Sequence, residues 1–158
     1  MWRIARRSIV KLSFDVKSTV VGPRMEIMPI IRLIANMVLR LRDNGFTPLQ
    51  RAIVDTGSYW SVVPRELWTL CAVDIIEPNS PIIGFAPDEV CHIPASIGKI
   101  SGIIFDDEGH ETRLLTFPAF LAHTDDVPLV LGFADLLSEF QVRFDYRTKS
   151  AYLDERLL

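Results

Sequence analysis

Short apolar runs, broken by glycine, proline and charged turns, follow one another along most of the chain. Runs of this kind are typical of β-strands, whereas long helices need a sustained period of three to four residues. The pattern predicts strands over 48–54, 99–105, 112–117, 127–132, 141–146 and 151–154. Because 106–111 and 147–150 are polar turns, the strands that flank each of them are predicted to form hairpins. Residues 77–94 predict a further hairpin with its tip at 84–88.

The N-terminal part of the chain is harder to assign from its pattern. Residues 1–24 are basic, rich in β-branched side chains and closed by a Gly-Pro pair, which predicts a basic arm or an extra strand. Residues 25–41 are densely apolar without one clear period, so helix and strand both remain open, although Pro29 favours a strand that starts there. Residues 42–45 are a turn signal of the Asn-Gly type. The remainder, 25–158, is predicted to be one domain.

Two segments carry the signals of short helices. In residues 61–71, Pro64 suits the first turn of a helix, Glu66 complements its positive end, and Leu67 begins an apolar face. Residues 133–140 predict one or two helical turns. The predicted fold class is therefore all-β, a single domain of closed-barrel or sandwich character with one or two short helices.

Composition narrows the class of protein. Of the 158 residues, 49% are hydrophobic, so the chain has enough apolar side chains for a sizeable core. A net charge of −3 without a strong basic patch argues against nucleic acid as a partner. No apolar stretch approaches the roughly 20 residues of a membrane span, and no secretory signal core is present. We therefore predict a cytoplasmic protein, with an organelle transit peptide as the alternative, and reduced thiols at Cys71 and Cys91.

The sequence Asp-Thr-Gly-Ser at residues 55–58 interrupts an apolar run. A carboxylate in apolar surroundings is costly unless it is paired, so Asp55 is either a surface turn residue or a group held for chemistry. Gly57 allows a tight turn just beyond the acid, and Ser58 supplies a hydroxyl that can donate to a carboxylate. A carboxylate held in this way is suited to activate water as a general base.

One carboxyl does not act as base and acid in the same step, so this chemistry needs a second one. Two carboxyls close together share a proton, because two like charges at that distance do not both ionise. The chain contains a single Asp-Thr-Gly, so the second copy must come from another chain. A two-fold axis through Asp55 would deliver it, which predicts a homodimer.

The motif and its surroundings resemble the retropepsin-like aspartic proteases, the single-lobed relatives of pepsin, from about residue 28 to 154. Three stretches carry the resemblance: AIVDTGS at 52–58, PIIGFAPDEV at 81–90 and LVLGFADLL at 129–137. The segment FQVRFDYRTKSAYL at 140–153 resembles the closing hairpin of bacterial members.

The resemblance implies an acid-protease domain over 25–158, a closed barrel with a flap hairpin that is active as a homodimer. It implies an endopeptidase that cleaves protein or peptide substrates with no metal ion or other cofactor. Asp55 would be the catalytic residue, and Thr56, Gly57 and Ser58 would support the catalytic loop. The implied site is completed by the substrate-binding flap residues Ile83, Gly84, Phe85, Ala86 and Pro87 and by the structural residues Leu131 and Gly132.

Other interpretations compete with this one. Pro87 stiffens a flap tip that is often glycine-rich in the family, so the alternative function is an inactive module of the same fold that binds peptides or dimerises. A regulatory domain that docks a partner through its arm is a third interpretation. The acidic turn at 106–111 includes His110 but has no second cluster nearby, so a solvated hairpin tip is predicted there and not a metal site. His123 and Asp125 lack the nucleophile-elbow pattern of a serine hydrolase.

Overall fold

The computed structural model describes residues 8–83 and 92–155. As the sequence predicted, this part of the chain is predominantly β, and its strands form one mixed sheet. In chain order the strands are β1 (Ile9–Val21), β2 (Glu26–Leu39), β3 (Gln50–Val54), β4 (Ser61–Val63), β5 (Asp74–Glu77), β6 (Ala95–Phe105), β7 (Leu115–Ala122), β8 (Val130–Leu131), β9 (Phe140–Asp145) and β10 (Ser150–Glu155). The helix α1 spans Arg65–Trp68, and a 3-10 helix spans Leu137–Glu139.

Six of the strands form a closed circuit of hydrogen-bonded pairs. Their order is β2, β3, β8, β4, β7 and β6, and β6 pairs back with β2 through residues 102–105 and 36–39. Most pairs are antiparallel, but β8 runs parallel to β3 and β4 runs parallel to β7. These strands supply most of the hydrophobic core, whose largest fully buried side chains include Phe117, Met37, Leu39, Ile100, Ile104 and Leu131.

Strands β1 and β2 extend well beyond the rest of the sheet. Their inner parts belong to it, because residues 9–12 of β1 pair with β10 and residues 33–37 of β2 pair with β3. Farther out, residues 16–21 pair with residues 26–31. Among the described residues, neither of these segments has another strand beside it. We call this two-stranded extension, residues 16–31, the ribbon.

The strand β1 is one of the two alternatives that the sequence left open for residues 1–24. Val10 and Leu12 are buried in the core, so the first half of β1 is an integral part of the sheet. The second open segment is also a strand, β2, and it includes Pro29. Because Pro29 lies in the ribbon, where β1 is the only strand of the described residues that pairs with β2, its missing N–H is tolerated.

The two C-terminal hairpins predicted from the sequence are confirmed. Strand β6 pairs with β7, and β9 pairs with β10, both antiparallel. Gly109 occupies the turn region between β6 and β7 with a φ of +86°, a conformation that favours glycine. The predicted hairpin at 77–94 has a pairing at its base between Ile82 and Ile93, while its tip at 84–88 lies outside the described residues.

The predicted helices are shorter than the sequence indicates. Helix α1 has four residues, and Pro64 is its N-cap and not a member of its first turn. The 3-10 helix Leu137–Glu139 stands where one or two helical turns were predicted over 133–140. Asp135, with a φ of +54°, departs from helical geometry just before it. Within residues 8–83 and 92–155, no helix combines the length and the apolar character needed to cross a membrane.

Cys71 is a free thiol buried in the core, where it donates a hydrogen bond to the Leu67 carbonyl oxygen at 3.1 Å. Burial raises the pKa of this thiol to about 11, and the charge of Arg42 opposes that rise only in part. The thiol therefore stays protonated at neutral pH and is a poor nucleophile. Cys91 lies outside the described residues.

The buried carboxylate of Asp106 ties β1 to the β6–β7 turn. It accepts hydrogen bonds at 2.9 Å from the backbone N–H groups of Lys11, Glu108 and His110, and at 2.9 Å from the His110 ring. Burial by itself would raise the pKa of Asp106, but these hydrogen bonds outweigh it and hold the pKa below its usual value of 3.8. The acidic turn is thus organised around one structural carboxylate.

Replacing Asp106 by Asn is expected to lower the free energy of unfolding at pH 7 by about 1–3 kcal/mol, because an amide oxygen is a weaker acceptor than a carboxylate. The folded pKa lies below the unfolded one, so the contribution is complete above about pH 5 and is lost as the pH falls through the folded value. Urea unfolding at several pH values should show a gap between wild type and variant that shrinks in acid. A gap that is constant with pH, or an equal effect of Asp107→Asn on the exposed neighbour, would contradict this account.

Candidate active site

Asp55 lies where β3 ends. Its backbone N–H donates to the Leu131 carbonyl oxygen at 3.0 Å, which continues the pairing of β3 with β8. Its carboxylate Oδ1 accepts the Gly57 N–H at 2.9 Å, and its carbonyl oxygen accepts the Ser58 N–H at 3.2 Å. The buried run ends at Val54, and the Asp55 side chain is exposed. The turn thus carries the carboxyl from the core to the surface.

The two hydroxyl residues of the motif differ in their surroundings. The Ser58 hydroxyl donates to the Trp60 carbonyl oxygen at 2.7 Å. It therefore shapes the backbone after the turn and does not donate to the Asp55 carboxylate, which was the role suggested by the sequence. Thr56 is exposed beside Asp55. Its predicted role, a tie between two copies of the loop, concerns an assembly and stays a prediction.

Residues 132–134, which follow β8, hold residues 58–61 in place by hydrogen bonds. Three backbone N–H groups make these contacts: Phe133 donates to the Ser58 carbonyl oxygen at 2.8 Å, Ala134 to that of Tyr59 at 2.7 Å, and Gly132 to the Ser61 hydroxyl at 2.9 Å. Gly132 is buried at the crossing, the place where the backbones of these two segments meet. A Cβ atom there would lie 2.5 Å from the Trp60 carbonyl oxygen and 2.7 Å from the Ser61 nitrogen. Only glycine lets the two backbones approach this closely.

Replacing Ser61 by Ala should destabilise the protein by about 1–3 kcal/mol, because the Gly132 N–H loses its acceptor in a buried position. Ser61 is fully buried, so water does not readily replace the hydroxyl. The free energy of unfolding in urea measures the effect. Ser101→Ala is the matched control, since the Ser101 hydroxyl bonds to Thr116 at an exposed site and its loss should cost less than about 0.5 kcal/mol. Equal costs for the two variants would contradict the role given to Ser61.

Among the cavities formed by the described residues, two include Asp55 in their walls. The first, which we call the Phe14 cavity, is about 540 Å³ in volume, includes Thr56, and is walled mainly by apolar side chains: Phe14, Ile31, Leu33, Ile53, Phe144 and Tyr146. The second, the Trp60 cavity, is about 470 Å³ in volume and is walled by Tyr59, Trp60, Val62, Ile82, Ile83 and Phe120. Asp55 is thus shared by two largely apolar cavities.

The predicted site residues are brought together only in part. The motif 55–58 meets Leu131 and Gly132 through the contacts above. Ile83, predicted for the flap, lines the Trp60 cavity together with Asp55. The other predicted flap residues, Gly84, Phe85, Ala86 and Pro87, lie outside the described residues.

Sequence reasoning missed Ser61, the apolar walls of the Phe14 cavity and, apart from Ile83, those of the Trp60 cavity. A signal for Ser61 existed, because a hydroxyl that opens an apolar strand must find a partner once it is buried. No local signal marked Phe14 or Phe144, which reach the Phe14 cavity from opposite ends of the chain. Trp60 carried no sequence signal that it lines a cavity. It is half-buried in its cavity and packs edge-on against Phe120, with ring centroids 5.0 Å apart.

Nowhere in the described part of the chain do three or more His, Cys, Asp or Glu side chains gather in a way that could hold a metal ion. Comparison with models of known protein families, with curated proteins and with solved structures returns no match.

Proposed function

We propose that this protein is an aspartic endopeptidase of the retropepsin-like kind, active as a homodimer in which two Asp55 carboxyls activate a water molecule. The observation that carries the proposal is the turn at residues 55–58. It presents an exposed carboxyl residue that lines two largely apolar cavities, and the backbone around Gly132 holds the residues that follow it. The closed circuit of six strands behind this turn supports the barrel implied by the resemblance.

The position of the carboxyl suits hydrolysis of an extended peptide. The Gly57 N–H fixes one oxygen of Asp55, which leaves the other oxygen for water or a second carboxyl. The two largely apolar cavities that Asp55 lines offer room for side chains that flank a peptide bond. The base of the 77–94 hairpin borders the Trp60 cavity at Ile82 and Ile83, so this hairpin is the element suited to cover a bound peptide by strand-like hydrogen bonds.

The reaction follows from two carboxyls that hold one proton between them. The ionised Asp55 takes a proton from a water molecule, and the water oxygen attacks the carbonyl carbon of the peptide. The protonated Asp55 of the second copy donates its proton to the carbonyl oxygen, which gives a tetrahedral diol. The carboxyl that took the proton from water then gives it to the amide nitrogen. As the C–N bond breaks, the other carboxyl recovers its proton from the diol. No covalent intermediate and no cofactor take part.

Cleavage of a diverse peptide library by the purified full chain, from acidic to neutral pH, tests the proposal, with Asp55→Asn measured in parallel. Cuts made by wild type and absent with the variant would support it, and the cut sites would define the specificity. A folded dimer that cuts nothing at any pH would favour the inactive peptide-binding or dimerisation module. Equal cutting by both proteins would place the activity elsewhere and overturn the role of Asp55.

A further inference from the structure

The part of β2 that lies in the ribbon has an edge that no other described strand covers. Strand β3 pairs with residues 33–37 of β2 and ends there, because the chain turns at Asp55. Farther out, residues 26–31 have β1 on one side and, among the described residues, no strand on the other. We call this uncovered side of residues 27–31 the outer edge of β2. It continues the line of β3 past Asp55.

The hydrogen bonds of β3 show which backbone groups of β2 face this edge. The Asp55 N–H donates to β8, and the backbone groups of neighbouring residues in a strand point to opposite sides. Those of Val54 therefore point toward β2, where Leu33 lies opposite. Because every second residue of β2 has the same direction, the N–H and C=O groups of Ile31 and Ile27 point out from the edge. No described residue is hydrogen-bonded to them.

Pro29 fits this arrangement. It lies between Ile31 and Ile27 and has the same outward direction, so its missing N–H removes no hydrogen bond to β1. Its carbonyl oxygen remains an acceptor. The outer edge of β2 thus offers N–H donors at residues 27 and 31 and C=O acceptors at residues 27, 29 and 31.

The outer edge begins beside Asp55. If the register of β2 and β3 continued, Arg32 would lie opposite Asp55, and Ile31 would lie opposite Thr56. Ile31, Thr56 and Asp55 also line the Phe14 cavity together. The outward N–H and C=O groups nearest to the proposed catalytic residue are therefore those of Ile31, and they lie next to a largely apolar cavity.

An extended peptide is the partner whose chemistry matches this edge. Unpaired N–H and C=O groups along a strand bind another main chain in extended form, which supplies acceptors and donors at the same spacing. A cavity beside such an edge receives a side chain of the added strand. The Phe14 cavity is in that position, because Ile31 is part of its wall.

We propose that the outer edge of β2 binds the peptide substrate as an added strand, which continues the line of β3 and brings the peptide past Asp55. This inference rests on the proposed function for the identity of the peptide as a substrate. The base of the 77–94 hairpin borders the other cavity that Asp55 lines, so the hairpin and the ribbon hold different stretches of one peptide. Ile31 then binds through its backbone N–H, which every residue except proline supplies.

The ribbon supplies a matched pair of proline variants. Val16 is the cross-strand partner of Ile31, and at this pair the backbone groups of the two residues point away from each other. Ile31→Pro removes an N–H from the outer edge of β2, and Val16→Pro removes one from the opposite edge of the ribbon. Neither change removes a hydrogen bond between β1 and β2, so both variants should have similar free energies of unfolding in urea.

Peptide binding is measured on the full chain with Asp55→Asn, which leaves the peptide intact. The probe is a fluorescein-labelled peptide selected from a displayed library for binding to this protein, and the readout is fluorescence anisotropy. We expect Ile31→Pro to weaken binding by about tenfold and Val16→Pro to change it by less than about threefold. If Ile31→Pro does not fold, Ile27→Pro and Val20→Pro repeat the comparison at the cross-strand pair nearer the tip, with the same expected difference.

The outcomes separate the inference from the proposed function. Equal binding by the two proline variants overturns the edge site and leaves the protease standing if wild type cuts peptides and Asp55→Asn does not. Weaker binding by Ile31→Pro alone, with no cleavage by wild type at any pH, upholds the edge site and overturns the protease. A library that yields no binding peptide overturns the edge site. So does a dimer, seen by sedimentation equilibrium, that Ile31→Pro dissociates without any change in peptide affinity, since the edge then binds a second copy.

Discussion

Asp55→Asn is expected to lower kcat/KM for peptide cleavage by at least about 1,000-fold, because an amide neither accepts a proton from water nor shares one with a second carboxyl. The fold should be unaffected. The Asn Oδ1 atom can still accept the Gly57 N–H, and the backbone bond to Leu131 does not involve the side chain. The variant's free energy of unfolding should therefore stay within about 1 kcal/mol of wild type. Retained cleavage with an intact fold would contradict the role of Asp55.

A mixing experiment tests whether two carboxyls act together. Equal amounts of wild type and Asp55→Asn are mixed and allowed to exchange subunits at random. If each active dimer needs Asp55 from both copies, the mixture has about one quarter of the activity of wild type at the same total concentration. A chain that works with a single carboxyl would retain about one half. The curve of activity against the fraction of variant thus separates a shared dyad from an independent site, without any change in substrate.

Gly132→Ala is expected to destabilise the protein by about 3 kcal/mol or more, since the added methyl group meets backbone atoms on the other side of the crossing. Its Cβ would lie 2.5 Å from the Trp60 carbonyl oxygen, and a backbone group cannot move aside as a flexible side chain does. Relief requires the segment after the Asp55 turn to shift, so cleavage should fall even where the variant remains folded. Urea unfolding at neutral pH measures the first effect and kcat/KM the second.

Gly109→Ala is the control for this variant. Gly109 has a φ of +86°, and no other group lies within 4 Å of the position that a Cβ would take, so an added methyl strains the backbone without a steric clash. A cost of about 1 kcal/mol is expected, with cleavage unchanged. If Gly132→Ala lowers the free energy of unfolding no more than Gly109→Ala does, the close approach of the two backbones at Gly132 does not require glycine.

Local signals in the sequence predicted much of the fold. The hairpins β6–β7 and β9–β10 join strands that are adjacent in the sequence, so short apolar runs and polar turns were enough to identify them. The strand β5 was not predicted, because Asp74–Glu77 is exposed along its length and extended only through its irregular pairing with β6. The segment 25–41 stayed open because its apolar residues fit no single period: the outer part of β2 is exposed beside β1, while its inner part is buried beside β3 and β6.

The candidate site, too, was predicted from the sequence only in part. The motif 55–58 was identified from its residue types and order, which reflect backbone requirements that a sequence displays, and Gly132 was identified through the resemblance to the retropepsin-like proteases. The cavities were not, since each is walled by side chains from several strands. The donor role suggested for Ser58 was wrong for a related reason. The Ser58 hydroxyl donates its hydrogen bond to the Trp60 carbonyl oxygen. No pattern of residue types reveals whether this oxygen or the Asp55 carboxylate is the acceptor within reach.

The pairing of β3 with β8 also has a consequence for folding, because β8 and the segment after it, which hold the Asp55 turn in place, are distant from it in the sequence. It joins Ile53 to Val130, and contacts between such distant parts of a chain form late, because a long loop must close first. During synthesis the Asp55 turn leaves the ribosome well before the segment around Gly132 that holds it. A nascent chain, or a fragment that stops short of β8, therefore carries the complete motif without the backbone that fixes it. Any activity that depends on Asp55 is thus delayed until the C-terminal segment has been made.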